Sequence, residues 1–178
     1  ISDIMKKLSF GIIIIFLISA CSSKNENYLI KFYEGEFDEI GVPSGYLSSK
    51  GDTIIPIGKY FYCYTDTIRN FGMVIEQGTG KILGIDQNGT ELYQVLNYDN
   101  GPDYVKSGLF RIIKQGKIGY ADSNGKIVIQ ARFDCAHPFK EDFAKVSDNC
   151  ETIQDGEHSI WKSDNWYHIT KNGIRVDK

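Results

Sequence analysis

Residues 108–146 read GLFRIIKQGKIGYADSNGKIVIQARFDCAHPFKEDFAKV. Apolar and polar side chains alternate over 109–113, 117–122 and 126–130, and Gln115-Gly116 and Ser123-Asn124-Gly125 break the alternation. This predicts three antiparallel strands in a meander. Residues 133–142 lose the alternation and space Phe133, Ala136 and Phe139 three apart, which predicts a short helical turn with Asp134 as its cap. A strand resumes at Phe143-Ala144-Lys145-Val146.

The rest of the chain reads as worn copies of this stretch. Gly45-Tyr46 stands six residues before Gly51 as Gly119-Tyr120 stands before Gly125, and residues 45–75 form the first copy. Residues 81–113 form the second, with the turn Gln87-Asn88-Gly89 and with Tyr98-Asp99 aligned on Phe133-Asp134. Residues 117–147 form the third and 159–178 a partial fourth that turns at Lys171-Asn172-Gly173. Residues 28–44 read as an N-terminal cap. The turn glycines Gly51, Gly89, Gly125 and Gly173 are 38, 36 and 48 residues apart, the last interval being lengthened by an insertion over 148–158. Two-residue hairpin turns, with positive φ at both Asn and Gly, are expected at these points. Units of this length cannot bury an apolar face alone and must share a core with their neighbours. The expected fold is therefore mainly all-β: about three and a half antiparallel three-stranded units with short helical turns, stacked in an open curved array over residues 28–178. A small propeller-like ring is the alternative.

The motif Gly119-Tyr120-x-Asp122-x-x-Gly125-Lys126-Ile127-Val128-Ile129, followed by Phe133-Asp134-x-Ala136-x-x-Phe139-x-Glu141-x-Phe143-Ala144-x-Val146, resembles the WG-repeat family of bacterial proteins. The family's tryptophan-glycine pair is Ile118-Gly119 here. Trp166 restores the tryptophan in the fourth copy, where Tyr167 replaces the glycine. The resemblance implies a repeat architecture and, loosely, an interaction role.

At the N-terminus, Lys6-Lys7 precede the apolar run 8–20, LSFGIIIIFLISA, and then Cys21, with Met5 read as the natural start. A basic region, a short apolar region and small residues before a cysteine form an export signal over residues 1–20, too short to span a bilayer. Ile18-Ser19-Ala20-Cys21 resembles a bacterial lipobox, which implies cleavage before Cys21 and a lipid on its thiol. Each buried acyl CH₂ contributes about 0.8 kcal/mol, so two or three chains would anchor the protein to a membrane. Residues 21–27 read as a flexible tether. Ser22 after the cysteine resembles the outer-membrane sorting pattern of cells with two membranes. The expected address is the cell envelope. The chain carries a formal charge of −3, and loss of residues 1–20 leaves 18 basic against 22 acidic side chains, with no basic stripe to meet nucleic acid.

Cys135 and Cys150 would close a loop worth about 3 kcal/mol as a disulfide in an exported chain. Cys63 is then either a small buried residue or the true partner of one of them. Cys135 with His137 forms a weak candidate nucleophile pair, and neither a metal set nor a cofactor motif is expected. Asp86-Gln87-Asn88-Gly89 and Asp122-Ser123-Asn124-Gly125 are too short for calcium loops and read as hairpin turns. Aromatic residues make up 13% of the chain, and Tyr60, Tyr62, Tyr64, Tyr98 and Tyr104 are candidates for a binding surface, against the alternative that they fill the space between units. The expected function is that of a membrane-anchored, non-enzymatic module that binds protein, peptide or glycan. A Cys/His envelope hydrolase and a purely structural envelope lipoprotein are the alternatives.

Overall fold

The computed structural model describes residues 27–156 and 158–176. The signal over 1–20, Met5, Cys21 and most of the tether lie outside the described residues.

The fold is all-β, as the alternation predicts, and it is built from four meanders. The first comprises β1 (Leu29–Tyr33), β2 (Ser44–Ser48) and β3 (Thr53–Ile55), after which come β4 (Tyr60–Cys63) and the short β5 (Thr67–Ile68). The second comprises β6 (Gly72–Glu76), β7 (Ile82–Ile85) and β8 (Glu91–Val95), followed by a small hairpin of β9 (Asn97–Tyr98) and β10 (Gly101–Pro102). The third comprises β11 (Leu109–Lys114), β12 (Lys117–Asp122) and β13 (Ile127–Phe133), then β14 (Cys135–Ala136). The fourth begins at β15 (Phe143–Ser147), is interrupted by the inserted hairpin β16 (Glu151–Asp155) and β17 (His158–Lys162), and ends with β18 (Tyr167–Thr170) and β19 (Arg175–Val176). Each meander thus pairs the closing strand of one copy with the hairpin of the next.

The units are joined edge to edge as well as through side chains. Cys63 pairs with Val74, Val95 with Ile112, and Ala136 with Val146, and all six residues are fully buried. One backbone hydrogen bond follows each pair: Tyr64 N–H to Met73 C=O (2.9 Å), Leu96 to Arg111 (3.1 Å) and His137 to Lys145 (2.9 Å). The middle two meanders and β4 therefore form one seven-stranded sheet, flanked by two four-stranded sheets, and no sheet closes into a barrel. Three apolar clusters run along the chain, centred on Tyr46 and Ile68, on Phe110 and Ile112, and on Tyr120 and Phe133. Each fully buried large side chain contributes about 1.5–3 kcal/mol.

The four turns are equivalent. Gly51, Gly89, Gly125 and Gly173 have φ of +92°, +74°, +80° and +76°, and each donates its N–H to the carbonyl three residues back, at Ser48, Asp86, Asp122 and Thr170. They are not the two-residue turns expected from Asn-Gly. Asn88, Asn124 and Asn172 keep negative φ, only the glycine is left-handed, and the loop closes one residue later through Asp86 N–H to Thr90 C=O (3.0 Å) and its counterparts. The first turn residue locks the loop with its side chain: Asp86 Oδ1 accepts from Asn88 and Thr90 N–H (2.8 Å each), and Asp122 Oδ1 from Asn124 and Lys126. Burial raises the Asp86 carboxyl, but these amide bonds outweigh it and hold it below its ordinary value.

No helical turn forms at 133–142 or anywhere else among the described residues. Phe133 ends β13, Ala136 lies on β14 and Phe139 on the link beyond, and all three converge on one cluster because the chain bends around it. Asp134 caps nothing helical and instead receives Lys117 Nζ at 2.6 Å.

Candidate functional site

The five tyrosines do not form one face. Tyr60 and Tyr62 are 3% and 8% exposed and Tyr64 packs half-buried against the middle cluster, so these three fill the space between units. Burial pushes the Tyr60 hydroxyl up to about 12, and among the described residues this hydroxyl has no hydrogen-bond partner. Tyr62 meets Tyr64 edge to face at 5.3 Å and carries Lys31 Nζ over its ring at 5.1 Å. Lys31 in turn bonds Asp38, Asp66 and the Cys63 carbonyl. Strand alternation does send one ring of this run outward, that of Phe61.

Tyr98 and Tyr104 behave differently. They are 49% and 53% exposed, pack edge to face at 5.8 Å, and stand beside the exposed Val105. Both ride on the link 97–108 between β8 and β11. The alignment of Tyr98-Asp99 on Phe133-Asp134 is therefore corrected, since Phe133 is wholly buried and Tyr98 points to solvent. Asp99 (φ 49°) and Asn100 (φ 64°) turn the tip of the small hairpin, residue types that tolerate the left-handed region.

Below the tip, Asp103 turns inward and is buried against Arg111, also buried. Arg111 donates to it three times: backbone N–H to Oδ2 (2.8 Å), Nε to Oδ2 (2.9 Å) and Nη2 to Oδ1 (2.5 Å). Arg111 Nη1 donates to the Ala136 carbonyl (3.2 Å), and the Tyr98 ring lies over the guanidinium at 5.5 Å. Asp103 N–H returns to Leu96 C=O (2.9 Å) and Lys106 and Leu109 exchange backbone bonds, so the link is held at both ends. A buried pair persists only where geometry and extra hydrogen bonds satisfy both charges, and this fork supplies them. The link therefore presents two amphipathic rings on a braced support. This suits recognition.

In the third unit the link stays close to the frame. Tyr120 is buried and its hydroxyl donates to the His137 carbonyl at 2.7 Å, as Tyr46 donates to Thr65 in the first unit (2.6 Å). A Cβ on Gly119 would meet Ala131 N and Ile129 O at 2.6 Å, so the close approach of β12 to β13 requires glycine. Residues 118–149 match the family model described as WG containing repeat. This segment is similar to a WG repeat. No curated protein and no solved structure matches the chain.

Cys135, inside the matched segment, is bonded to Cys150 just beyond its end, with Cα atoms 5.9 Å apart. Cys63 is free and buried, and burial raises its thiol. Cys135 Sγ is therefore not a free nucleophile. The His137 ring packs on Trp161 (5.6 Å) and Trp166 (5.0 Å), the two tryptophans of the chain. Burial first, then Lys145 and Arg111, hold His137 below its ordinary value. Among the described residues no group of three or more His, Cys, Asp or Glu is placed to hold a metal ion. The Asp103–Arg111 brace was missed at sequence level, although an arginine inside the apolar run Leu109-Phe110-Arg111-Ile112-Ile113 was its signal.

Proposed function

We propose that this chain is a non-enzymatic binding module of the bacterial cell envelope, lipid-anchored through Cys21 in the outer membrane where there are two membranes, and that it recognises a protein, peptide or glycan through the link carrying Tyr98 and Tyr104. The observation behind this reading is the exposed tyrosine pair on a support braced by a buried ion pair. Rings with few rotamers and a polar tip supply contact area at low entropic cost, and rigid aromatic anchors dominate binding energies. The similarity to a WG repeat supports a module of repeat type, in which an ordered frame presents varied loops. The export-type N-terminus supports the address. The hydrolase reading loses support from the Cys135–Cys150 bond, which occupies its nucleophile.

The test uses the full chain in uncharged detergent. The parent and a Tyr98→Ala/Tyr104→Ala variant are immobilised and presented with envelope extracts, peptide libraries and glycan arrays. The parent is expected to retain a specific ligand that the variant loses, with the melting temperatures unchanged. Equal retention by both contradicts the reading. Incorporation of labelled palmitate that disappears in Cys21→Ala checks the anchor.

A further inference from the structure

Beside the third link lies a groove of about 470 Å³, walled by His137, Lys140, Glu141, Phe143, Lys145 and His168. On a chain whose formal charge is −3, it gathers two lysines and two histidines against one glutamate. Its rings are those of His137, Phe143 and His168; behind them Trp166 meets His137 at 5.0 Å and carries Lys145 Nζ over its ring at 4.8 Å. Lys140 and Glu141 sit in a tight bend, where Lys140 N–H donates to Phe143 C=O (2.9 Å) and Glu141 is left-handed at φ 57°. Among the described residues neither of these two side chains has an ion-pair partner.

Three chemistries therefore meet in one place. Cations call for an anion, flat rings suit the apolar face of a pyranose, and a lone carboxylate accepts from hydroxyls while repelling densely charged phosphates. We infer that this groove binds an acidic saccharide of the hexuronate type, its carboxylate received by Lys140 and Lys145, its ring against His137 and Phe143 and a hydroxyl donating to Glu141. The inference rests on the reading of the chain as a binding module and assigns it a second face, apart from Tyr98 and Tyr104.

Because Trp161 and Trp166 both lie against His137, a wall of this groove, intrinsic tryptophan fluorescence is expected to respond when it is filled, and the Lys140→Gln variant ties the response to the groove. The full chain in uncharged detergent is titrated with trigalacturonate, its methyl ester, inorganic phosphate and phosphatidylglycerol vesicles, with calorimetry as the parallel readout. Trigalacturonate is expected to bind saturably, and the ester, which lacks the charge, about tenfold more weakly. Lys140→Gln and Lys145→Gln are each expected to weaken trigalacturonate by about tenfold without changing the melting temperature. Glu141→Gln is expected to weaken trigalacturonate and strengthen phosphate. Absence of both signal and heat, equal binding of acid and ester, or a tighter response to phosphate or to vesicles overturns the inference. Tyr98→Ala/Tyr104→Ala is expected to leave trigalacturonate binding intact. If that variant loses its captured ligand while trigalacturonate binds to neither form, the groove assignment fails and the module reading stands.

Discussion

The second and third units solve the same junction in opposite ways. In both, a fully buried residue crosses to the first strand of the next meander, Val95 to Ile112 and Ala136 to Val146. Beyond it the third link stays close, because the buried Tyr120 donates to the His137 carbonyl and Phe139 fills the core. The second unit has Gly84 where the pairing register places Tyr120. A Cβ there would meet Phe71 at 2.6 Å and Tyr93 at 2.9 Å, so the rings of Phe71, just before β6, and of Tyr93 on β8 already take up the space. With no tyrosine to tie it, the second link turns outward and is held by an ion pair instead. A repeat frame can thus exchange a tied link for a displayed one at the level of a single residue, provided another brace replaces the tie.

Removing each brace sharpens this contrast. The largest effect is expected from Asp103→Ala, which leaves Arg111 buried without its partner and costs about 3–5 kcal/mol. Chemical denaturation reads it, and a loss below about 1 kcal/mol would mean that the pair does not hold the second link. Next comes the Cys135→Ser/Cys150→Ser variant, expected to lose about 3 kcal/mol because the bond closes a short loop. Comparing reduced and oxidised parent protein checks the same number without a mutation.

Tyr120→Phe removes one neutral hydrogen bond and is expected to cost about 1 kcal/mol, with the amide signals of 137–140 shifted and those of 97–108 unmoved. Shifts of equal size in both links would erase the distinction between them. The smallest effect belongs to His137. Its folded-state value lies below the ordinary 6.5, so the unfolded chain binds the proton first. This contribution is complete above the ordinary value and is lost as pH falls through it toward the folded value. Melting temperatures across that window should fall more steeply for the parent than for His137→Gln, and parallel curves would contradict the assignment.

Much of the frame was legible in the sequence. The strands of 109–130 and the four turn glycines follow from alternation and spacing; the insertion was legible but runs past 158, since residues 159–162, read as the start of the fourth copy, pair with 151–154 in the inserted hairpin. The turn type was not, because Asn-Gly reads as a two-residue turn unless the acceptor two places earlier, Asp86 or Asp122, is given its role. The helical turn failed because a spacing of three also arises when a strand end, a short strand and a link bend around one core. Which tyrosines are displayed and which are enclosed stayed open in the sequence for a related reason. Tyr60 and Tyr98 look alike in sequence, and only the crossing of each chain to its neighbour decides which ring is enclosed. The Asp103–Arg111 contact joins a link to a strand across a turn, and no local pattern encodes that partnership.

Native-state amide exchange tests most directly whether the second link is a fixed, displayed element. Arg111 N–H, bonded to Asp103 Oδ2, and Asp103 N–H, bonded to Leu96 C=O, are expected to exchange as slowly as the frame amides of Val95 and Ile112. If both exchange as fast as the amide of Asn100 at the exposed tip, the link is not braced and the account fails.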